Sequence, residues 1–170
     1  MYDYIKADPR YVYLKGKRRQ TIFAWTQREY RNLLKAREAG ARVPKPIAFK
    51  DNIILMELIG EGIEAAPELK DAFPEKPDDF FKKIVENIKK MWDAGLVHGD
   101  LSAFNILNFK ENPVFIDFSQ STITTNQRAQ ELLERDVKNV CLHFKKSGIN
   151  PNQQSVLDYI TSKTRKKDFF

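Results

Sequence analysis

The spacing of hydrophobic residues predicts four helices separated by shorter segments. Apolar side chains recur every three or four positions over residues 20–40. The same pattern is clearer from Asp78 to residue 94, where lysines occupy the opposite face. We expect Asp78 to cap the start of this second helix, and a glycine to end each of the two. Further helices are predicted over residues 126–146 and from residue 150 onward. The chain is therefore expected to be rich in helix.

Short apolar runs bounded by polar or turn-forming residues predict strands instead. These runs cover residues 46–49, 53–58, 106–107 and 113–118. Polar turns at residues 50–52 and 111–112 would join them into two hairpins. Residues 60–77 contain two glycines and three prolines, which favours a connector over a long helix. Together these elements predict an α+β fold.

The composition excludes several classes of protein. Of the 170 residues, 42% are hydrophobic, which is enough for a folded core. The net charge of +6 is compatible with a phosphate-bearing partner such as RNA but does not require one. Cys141 is the single cysteine, so an intrachain disulfide framework is excluded. Because the longest apolar run, residues 53–56, is too short to cross a bilayer and no targeting segment is recognisable, we expect a cytoplasmic protein without a membrane partner.

Three residues in the middle of the chain suggest phosphoryl transfer with bound magnesium. Asp100 lies in the loop after the second helix, where a carboxylate could orient a nucleophile and accept its proton. Asn105 follows five residues later and offers an amide oxygen. The predicted hairpin that begins after Asn105 would return Asp117 to the same place. Carboxylate and amide oxygens suit Mg²⁺ held against phosphate.

Each of these residues alone has a simpler interpretation. An isolated Asp or Asn in a loop is usually a turn or cap residue, and His98 alone would usually be a packed, hydrogen-bonded histidine. We keep that structural role for His98, which would hold the loop through backbone hydrogen bonds. The joint pattern H-x-D-x-x-x-x-N, followed by two apolar strands and Asp117, favours the catalytic interpretation for the set.

The motif HGDLSAFN, which begins at His98, resembles the catalytic loop of kinases in the form found in the RIO family of atypical protein kinases. Ordinary kinases have Arg and Lys where this chain has Gly99 and Ser102. The run DFSQS from Asp117 is similar to the metal-binding loop of the first RIO subfamily. Residues 23–33, FAWTQREYRNL, are similar to that subfamily's helix C. The resemblance extends from about Tyr4 to Phe144, most of the chain.

This resemblance implies a protein-kinase-like α+β fold and a role for each matching residue. Asp100 would be the catalytic aspartate, and Asn105 and Asp117 would hold Mg²⁺, or Mn²⁺ as an alternative metal, against the phosphates of ATP. Glu29 would be the helix C glutamate, and Asp136 would support the catalytic loop. The adenine site would have Met56 at the gatekeeper position and the backbone of Glu57 through Ile59 as the hinge. Leu107 and Ile116 would form the apolar floor under the base.

The chain departs from the kinase pattern before its first predicted helix. A glycine-rich hairpin and a strand-borne lysine are expected there, but Gly16 is the sole glycine in that region. Lys15 imitates the lysine, although its surroundings match the linker that follows the lysine in RIO proteins. We therefore expect a RIO kinase that lacks its first part. Its domains would be a basic arm over residues 1–19, a truncated small lobe over 20–59 and a mostly helical large lobe over 60–170.

The resemblance implies an ATP-dependent serine/threonine protein kinase that phosphorylates itself and hydrolyses ATP. Small ribosomal subunit maturation is the implied setting, with the pre-small-subunit ribosome or its rRNA as a partner besides ATP. The basic arm and the basic residues 163–167 would suit that contact. Two alternatives stay open. One is a catalytically impaired fragment that binds nucleotide or ribosome, and the other is a small-molecule kinase of the aminoglycoside or choline type.

Overall fold

The computed structural model describes residues 18–162 and 169–170; for Arg18 it describes the backbone alone. Four helices and eight short strands make up this part of the chain. In chain order they are α1 (Arg18–Glu38), β1 (Pro46–Lys50), β2 (Ile53–Met56), β3 (Gly60–Glu61), β4 (Glu64–Ala65), α2 (Pro77–Asp93), β5 (Leu96–Val97), β6 (Ile106–Phe109), β7 (Asn112–Phe115), β8 (Thr122–Ile123), α3 (Ala129–Lys146) and α4 (Gln153–Thr161). The predicted mixture of helix and strand is confirmed.

The described strands form four separate antiparallel pairs. The pairs are β1 with β2, β3 with β4, β5 with β8, and β6 with β7. In the β6–β7 hairpin Ile106 lies opposite Phe115 and Phe109 lies opposite Asn112. The β5–β8 pair joins the two ends of the segment that contains the catalytic-loop motif and the hairpin. This closure brings the start and the end of that segment together.

The helices agree with the predicted pattern, apart from their first residues. Helix α2 begins at Pro77 with Lys76 at the N-cap, so the prediction of Asp78 as the cap is wrong. Proline suits the first helical position because its fixed φ is already helical and its missing N–H would have no partner there. Asp78 lies instead in the first turn, where its negative charge is favourable near the positive end of the helix dipole. Helix α3 begins at Ala129, three residues later than expected.

Several strand boundaries also differ from the prediction. Strand β2 ends at Met56 and β7 at Phe115, both earlier than expected. The turn of the second hairpin is Lys110–Glu111, and both residues have positive φ, +53° and +58°. Two left-handed residues in a two-residue turn match the twist of the flanking strands. The predicted connector contains the small β3–β4 hairpin.

The main hydrophobic core joins α1 to the helical part of the molecule. Leu33 and Ala36 of α1 belong to the same buried cluster as the apolar faces of α2, α3 and α4. A second, smaller cluster lies between the β3–β4 hairpin and the β6–β7 hairpin. The predicted basic arm falls outside the described residues up to position 17, and α1 already includes residues 18 and 19. Residues 163–167 also lie outside them.

Candidate active site

Helix α3 holds the catalytic loop, residues 98–105, through the backbone. The carboxylate of Asp136 accepts hydrogen bonds from the N–H groups of Gly99, at 2.7 Å, and Leu101, at 2.8 Å. Asn139 donates its side-chain amide to the Leu101 carbonyl at 3.2 Å. Asp136 is buried, and burial raises its pKa to about 7, although the two N–H groups and the charge of Arg135 act in the opposite direction.

Gly99 is required by a close contact. Its φ is +81°, which other residues adopt only with strain. A Cβ built at this position would lie 2.9 Å from the carbonyl oxygen of Gln120. An arginine, which ordinary kinases have at this position, would not fit here. The glycine that distinguishes this motif therefore permits the catalytic loop to pack against the segment after Asp117.

Asp100 and Asn105 lie at the two ends of the catalytic loop and are linked directly. The Asn105 side-chain amide donates to the Asp100 carbonyl at 2.8 Å, which leaves the amide oxygen of Asn105 as a ligand. The Asp100 side chain is half-buried. Burial raises its pKa, the charge of Arg135 lowers it, and the charge of Asp117 raises it. The two carboxylates predicted to share a site are thus close enough to interact.

Asp117 stands just after β7 with its side chain exposed. Its φ is +59°, in the left-handed region that Asp tolerates better than most residues. One carboxylate oxygen accepts the backbone N–H of Ser119 at 3.2 Å. The other is available for a ligand. The unusual backbone angle and the local hydrogen bond together turn this carboxylate out of the strand direction.

Helix α1 binds the backbone that follows Asp117. Trp25 donates its indole N–H to the Ser119 carbonyl at 2.9 Å. Arg28 and Asn32 both donate to the Ser121 carbonyl, each at 2.9 Å. Residues 25, 28 and 32 are three and four apart, so they share one face of the helix. The helix C motif contains these residues, but the motif alone does not assign them to the site. Polar donors at helical spacing on one face of α1 are the signal that could have identified them.

Glu29 projects from the same helix toward Asp117. Burial raises the pKa of Glu29 to about 7, and the negative charge of Asp117 adds to the rise. Within the described residues no cation forms an ion pair with Glu29. Glu29 is therefore a carboxyl group with a raised pKa, close enough to Asp117 for the two charges to interact.

His98 is buried beneath the Asp117 segment. Its Nε2 lies 3.0 Å from the Ile116 carbonyl, and its ring centroid lies 4.8 Å from that of Phe118. Burial lowers the pKa of His98 to about 4, so the ring is neutral at physiological pH and its Nε2–H donates to the carbonyl. His98 is the first residue of the catalytic loop, and this hydrogen bond connects the loop to the backbone just before Asp117.

Three of the five residues predicted to bind adenine lie in one hydrophobic cluster. Ile59, Leu107 and Ile116 meet in the smaller hydrophobic cluster. Met56, predicted as the gatekeeper, packs instead against the main core. Leu107 and Ile116, the two residues predicted to form the floor, therefore lie together and beside Ile59 of the predicted hinge.

The hinge, residues 57–59, has backbone polar groups that form no hydrogen bond with the described residues. The Glu57 N–H donates to the Lys45 carbonyl at 2.9 Å, and the Ile59 carbonyl accepts the Ala66 N–H at 2.8 Å. Among the described residues, the carbonyl of Glu57 and the N–H of Ile59 have no hydrogen-bond partner. The Glu57 side chain binds Arg42 at 3.2 Å and the Lys45 N–H at 2.9 Å, which fixes the hinge to the segment before β1.

The described part of the chain has neither a cluster of acidic, histidine or cysteine metal ligands nor a membrane-spanning helix. No three His, Cys, Asp or Glu side chains there are grouped so that they could hold a metal. These four residue types do not include amide ligands such as Asn105. Mg²⁺ is often bound by one or two protein oxygens together with phosphate oxygens and water. No helix in the described ranges is long and apolar enough to cross a membrane.

The chain matches known sequences over most of its length. The family model for the RIO domain matches residues 1–157. The RIO-type serine/threonine-protein kinase Rio1 of Methanocaldococcus jannaschii is 43% identical over 164 residues, which are 96% of this chain and 56% of the relative. The protein of the same name from Thermoplasma acidophilum is 34% identical over 94% of this chain and 84% of the relative. The chain spans about half the length of some of these relatives.

Two solved structures of a Rio2 kinase from Chaetomium thermophilum share the fold. Their TM-scores are 0.66 and 0.69 at 22% and 21% identity, and they match 87% and 89% of this chain and 52% and 50% of their own. The first is a complex with ADP, Mg²⁺ and phosphoaspartate. The likeness establishes an α+β kinase-like fold. Because the RIO domain model and the sequence relatives match nearly the whole chain, the protein belongs to the RIO family of kinases.

Proposed function

We propose that this chain binds ATP with Mg²⁺ and transfers the γ-phosphoryl group to serine or threonine hydroxyls, including its own. The observation that carries the proposal is the convergence of Asp100, Asn105 and Asp117 on one site. Asn105 is hydrogen-bonded to Asp100, and the charge of Asp117 acts on the pKa of Asp100. The match to RIO relatives, which are named serine/threonine kinases, favours this function over a small-molecule kinase.

The nucleotide would lie between the hinge and the apolar floor. The carbonyl of Glu57 and the N–H of Ile59, which bond to no described residue, offer the acceptor and donor that an adenine edge needs. Leu107 and Ile116 would lie beneath the base. Met56 would border the pocket rather than line its floor, since it packs against the main core.

The residues at the phosphate end suit Mg²⁺, with Mn²⁺ as an alternative metal. Asn105 keeps an amide oxygen and Asp117 a carboxylate oxygen, both hard ligands of the kind that Mg²⁺ prefers. Bound metal would neutralise charge on the phosphates during transfer. A fold neighbour of this chain has been solved with ADP and Mg²⁺, which supports the same cofactors here.

Asp100 would act on the phosphoacceptor. Its carboxylate would orient the serine or threonine hydroxyl and accept its proton as the hydroxyl oxygen bonds to the γ-phosphorus. The bond between that phosphorus and the β–γ bridging oxygen breaks, and ADP leaves with the electron pair. In ATP hydrolysis a water molecule would take the place of the hydroxyl. Gly99 and Leu101, held by Asp136, fix the backbone on both sides of Asp100.

A nucleotide-binding protein with little turnover is a second candidate. The observation that favours it is Glu29, which has no ion-pair partner in the described part of the chain although kinases use this glutamate to hold a phosphate-binding lysine. For the setting of either activity we propose the cytoplasm and the maturing small ribosomal subunit, supported by the net charge of +6 and the family.

The test uses one pair of matched aspartates. Asp117 and Asp51 are both exposed and both have left-handed backbones, with φ of +59° and +53°. Asp117→Asn should weaken ATP binding in Mg²⁺ by at least ~10-fold, because even the loss of a group that only supports a metal ligand typically costs about 10- to 100-fold in metal affinity. Asp51→Asn should leave affinity unchanged. Binding would be measured calorimetrically with Mg²⁺ and with EDTA.

Turnover distinguishes the two candidates. Radiolabelled autophosphorylation and ATP hydrolysis should be abolished by Asp100→Asn while ATP affinity remains. If the wild-type chain binds Mg²⁺ and ATP but shows no turnover that depends on Asp100, the binding function replaces the kinase. If Asp117→Asn binds ATP as tightly as wild type in Mg²⁺, the metal assignment is wrong.

A further inference from the structure

Arg135 of helix α3 lies against the catalytic loop, next to Asp100. Its guanidinium donates a hydrogen bond from Nη2 to the carbonyl of Gly99, the residue directly before Asp100. The neighbouring residue on the helix, Asp136, accepts the N–H of the same glycine. Two consecutive residues of α3 thus bind both polar groups of Gly99.

Position 99 itself cannot supply the side chain that donates to this peptide. Position 99 must be glycine, because its φ is +81° and a Cβ would lie 2.9 Å from the Gln120 carbonyl. The arginine that ordinary kinases place there is therefore excluded by packing. Arg135 brings a guanidinium to the same peptide from a different element.

Charged groups on α3 and on the segment after β7 act on Asp100. Arg135 of α3 favours its ionised form, whereas Asp117, after β7, opposes it, and Asp100 in turn acts on Asp136. Arg135 also acts on Glu131, one turn earlier on α3. Arg135 is the one cation whose charge acts on Asp100 among the described residues. The guanidinium is therefore placed to offset the repulsion between the two carboxylates of the site.

Stability alone is a poor explanation for this arginine. Its Nε is buried and has no hydrogen-bond partner within the described residues. Burying an unpaired N–H destabilises a fold, so a shorter apolar residue would be expected at a purely structural position.

We propose that Arg135 is a positioning residue for phosphoryl transfer, which fixes the Gly99–Asp100 peptide so that the Asp100 carboxylate faces the phosphoacceptor. This inference rests on the proposed kinase function. Misplacing a catalytic group by about 1 Å commonly costs on the order of 100-fold in rate, whereas the hinge and metal ligands are untouched. The effect should therefore fall on kcat and spare the binding of ATP.

The experiment compares Arg135→Met, Arg135→Lys and the control Lys138→Met in the whole chain. Lys138 is exposed on the same helix, so its substitution removes a cation without touching the loop. Arg135→Met should lower kcat for ATP hydrolysis by at least ~30-fold with KM for ATP within about twofold of wild type. Arg135→Lys should recover part of that loss because an ammonium can donate to the same carbonyl. Lys138→Met should behave as wild type.

Hydrogen exchange of residues 98–102 supplies a readout that does not need turnover. Arg135→Met should speed exchange of these amides by at least ~10-fold and leave exchange in α3 unchanged. Unchanged exchange, or an Arg135→Met variant with wild-type kcat, overturns the inference. So does a kcat that falls only with the folded fraction in thermal unfolding. If wild type lacks Asp100-dependent turnover but exchange rises as expected, the loop-fixing role stands and the proposed kinase function fails.

Discussion

Replacing Gly99 with alanine tests whether the contact between the catalytic loop and the segment after Asp117 limits this fold. Gly99 has φ of +81°, and an added Cβ would lie 2.9 Å from the Gln120 carbonyl oxygen. Gly40, which follows α1, offers a matched control. Its φ is +79°, and a Cβ there would meet nothing within 4 Å. The two substitutions share the backbone strain and differ in the contact.

The expected magnitudes follow from those two terms. A left-handed backbone costs a residue with a Cβ about 1–2 kcal/mol relative to glycine. Gly40→Ala should therefore lower the free energy of unfolding by about that amount. Overpacking a tight contact adds typically about 1–3 kcal/mol. Gly99→Ala should lower the free energy of unfolding by about 2–5 kcal/mol in total.

The contact at Gly99 is difficult to relieve because its partner is fixed. The Gln120 carbonyl lies between Ser119 and Ser121, whose carbonyls are bound by Trp25 and Arg28. A shift of Gln120 would therefore strain the attachment of α1 or displace Asp117. For this reason Gly99→Ala should also weaken ATP binding in Mg²⁺, whereas Gly40→Ala should not.

Urea unfolding of both variants gives the free energies, and calorimetry gives the affinity for ATP with Mg²⁺. The difference between the two losses of stability is the quantity of interest, because the shared strain cancels. Equal losses in Gly99→Ala and Gly40→Ala would refute the reasoning. Gly99→Ala combined with Arg135→Met, compared with each single variant, would show whether loosening the loop at Arg135 lessens the penalty at Gly99.

Two further predictions concern buried ionisable groups. Asp136→Asn at pH 8 should lower the free energy of unfolding by about 1–3 kcal/mol. The reason is that an amide oxygen accepts one of the two N–H groups and leaves the other buried and unpaired. A loss within error of zero in urea unfolding contradicts this. Burial lowers the pKa of His98 to about 4, so the unfolded chain takes up the proton first and stability is lost as pH falls below about 6.5. At pH 5 this loss should be about 2 kcal/mol, and it should be missing from the pH dependence of a His98→Gln variant.

Local patterns made much of this molecule predictable. The period of apolar residues in α2 is set by the geometry of a single helix, and so is its end at Gly95, where φ is +77°. The catalytic-loop motif is likewise local, since Asp100 and Asn105 are joined across one short loop. Such features depend on neighbours in the sequence, which a sequence displays directly.

Features that depend on distant partners were not predictable. Strands β3, β4, β5 and β8 have two residues each, too short for any periodicity, and exist because of the strands they pair with. The need for glycine at position 99 comes from a carbonyl twenty-one residues later. The position of Met56 against the main core also reflects tertiary packing that the hinge pattern does not contain.

The attachment of α1 shows why only part of the site could be predicted from the sequence. Trp25, Arg28 and Asn32 donate to main-chain carbonyls, and every residue has a carbonyl, so no side-chain pattern could identify their acceptors. The donors were visible as polar residues at helical spacing, but their partners were not. Because these bonds fix the backbone just after Asp117, a movement of α1 must either break them or move that backbone. The position of α1, with Glu29 on it, is therefore coupled to the position of Asp117, the residue proposed to bind metal.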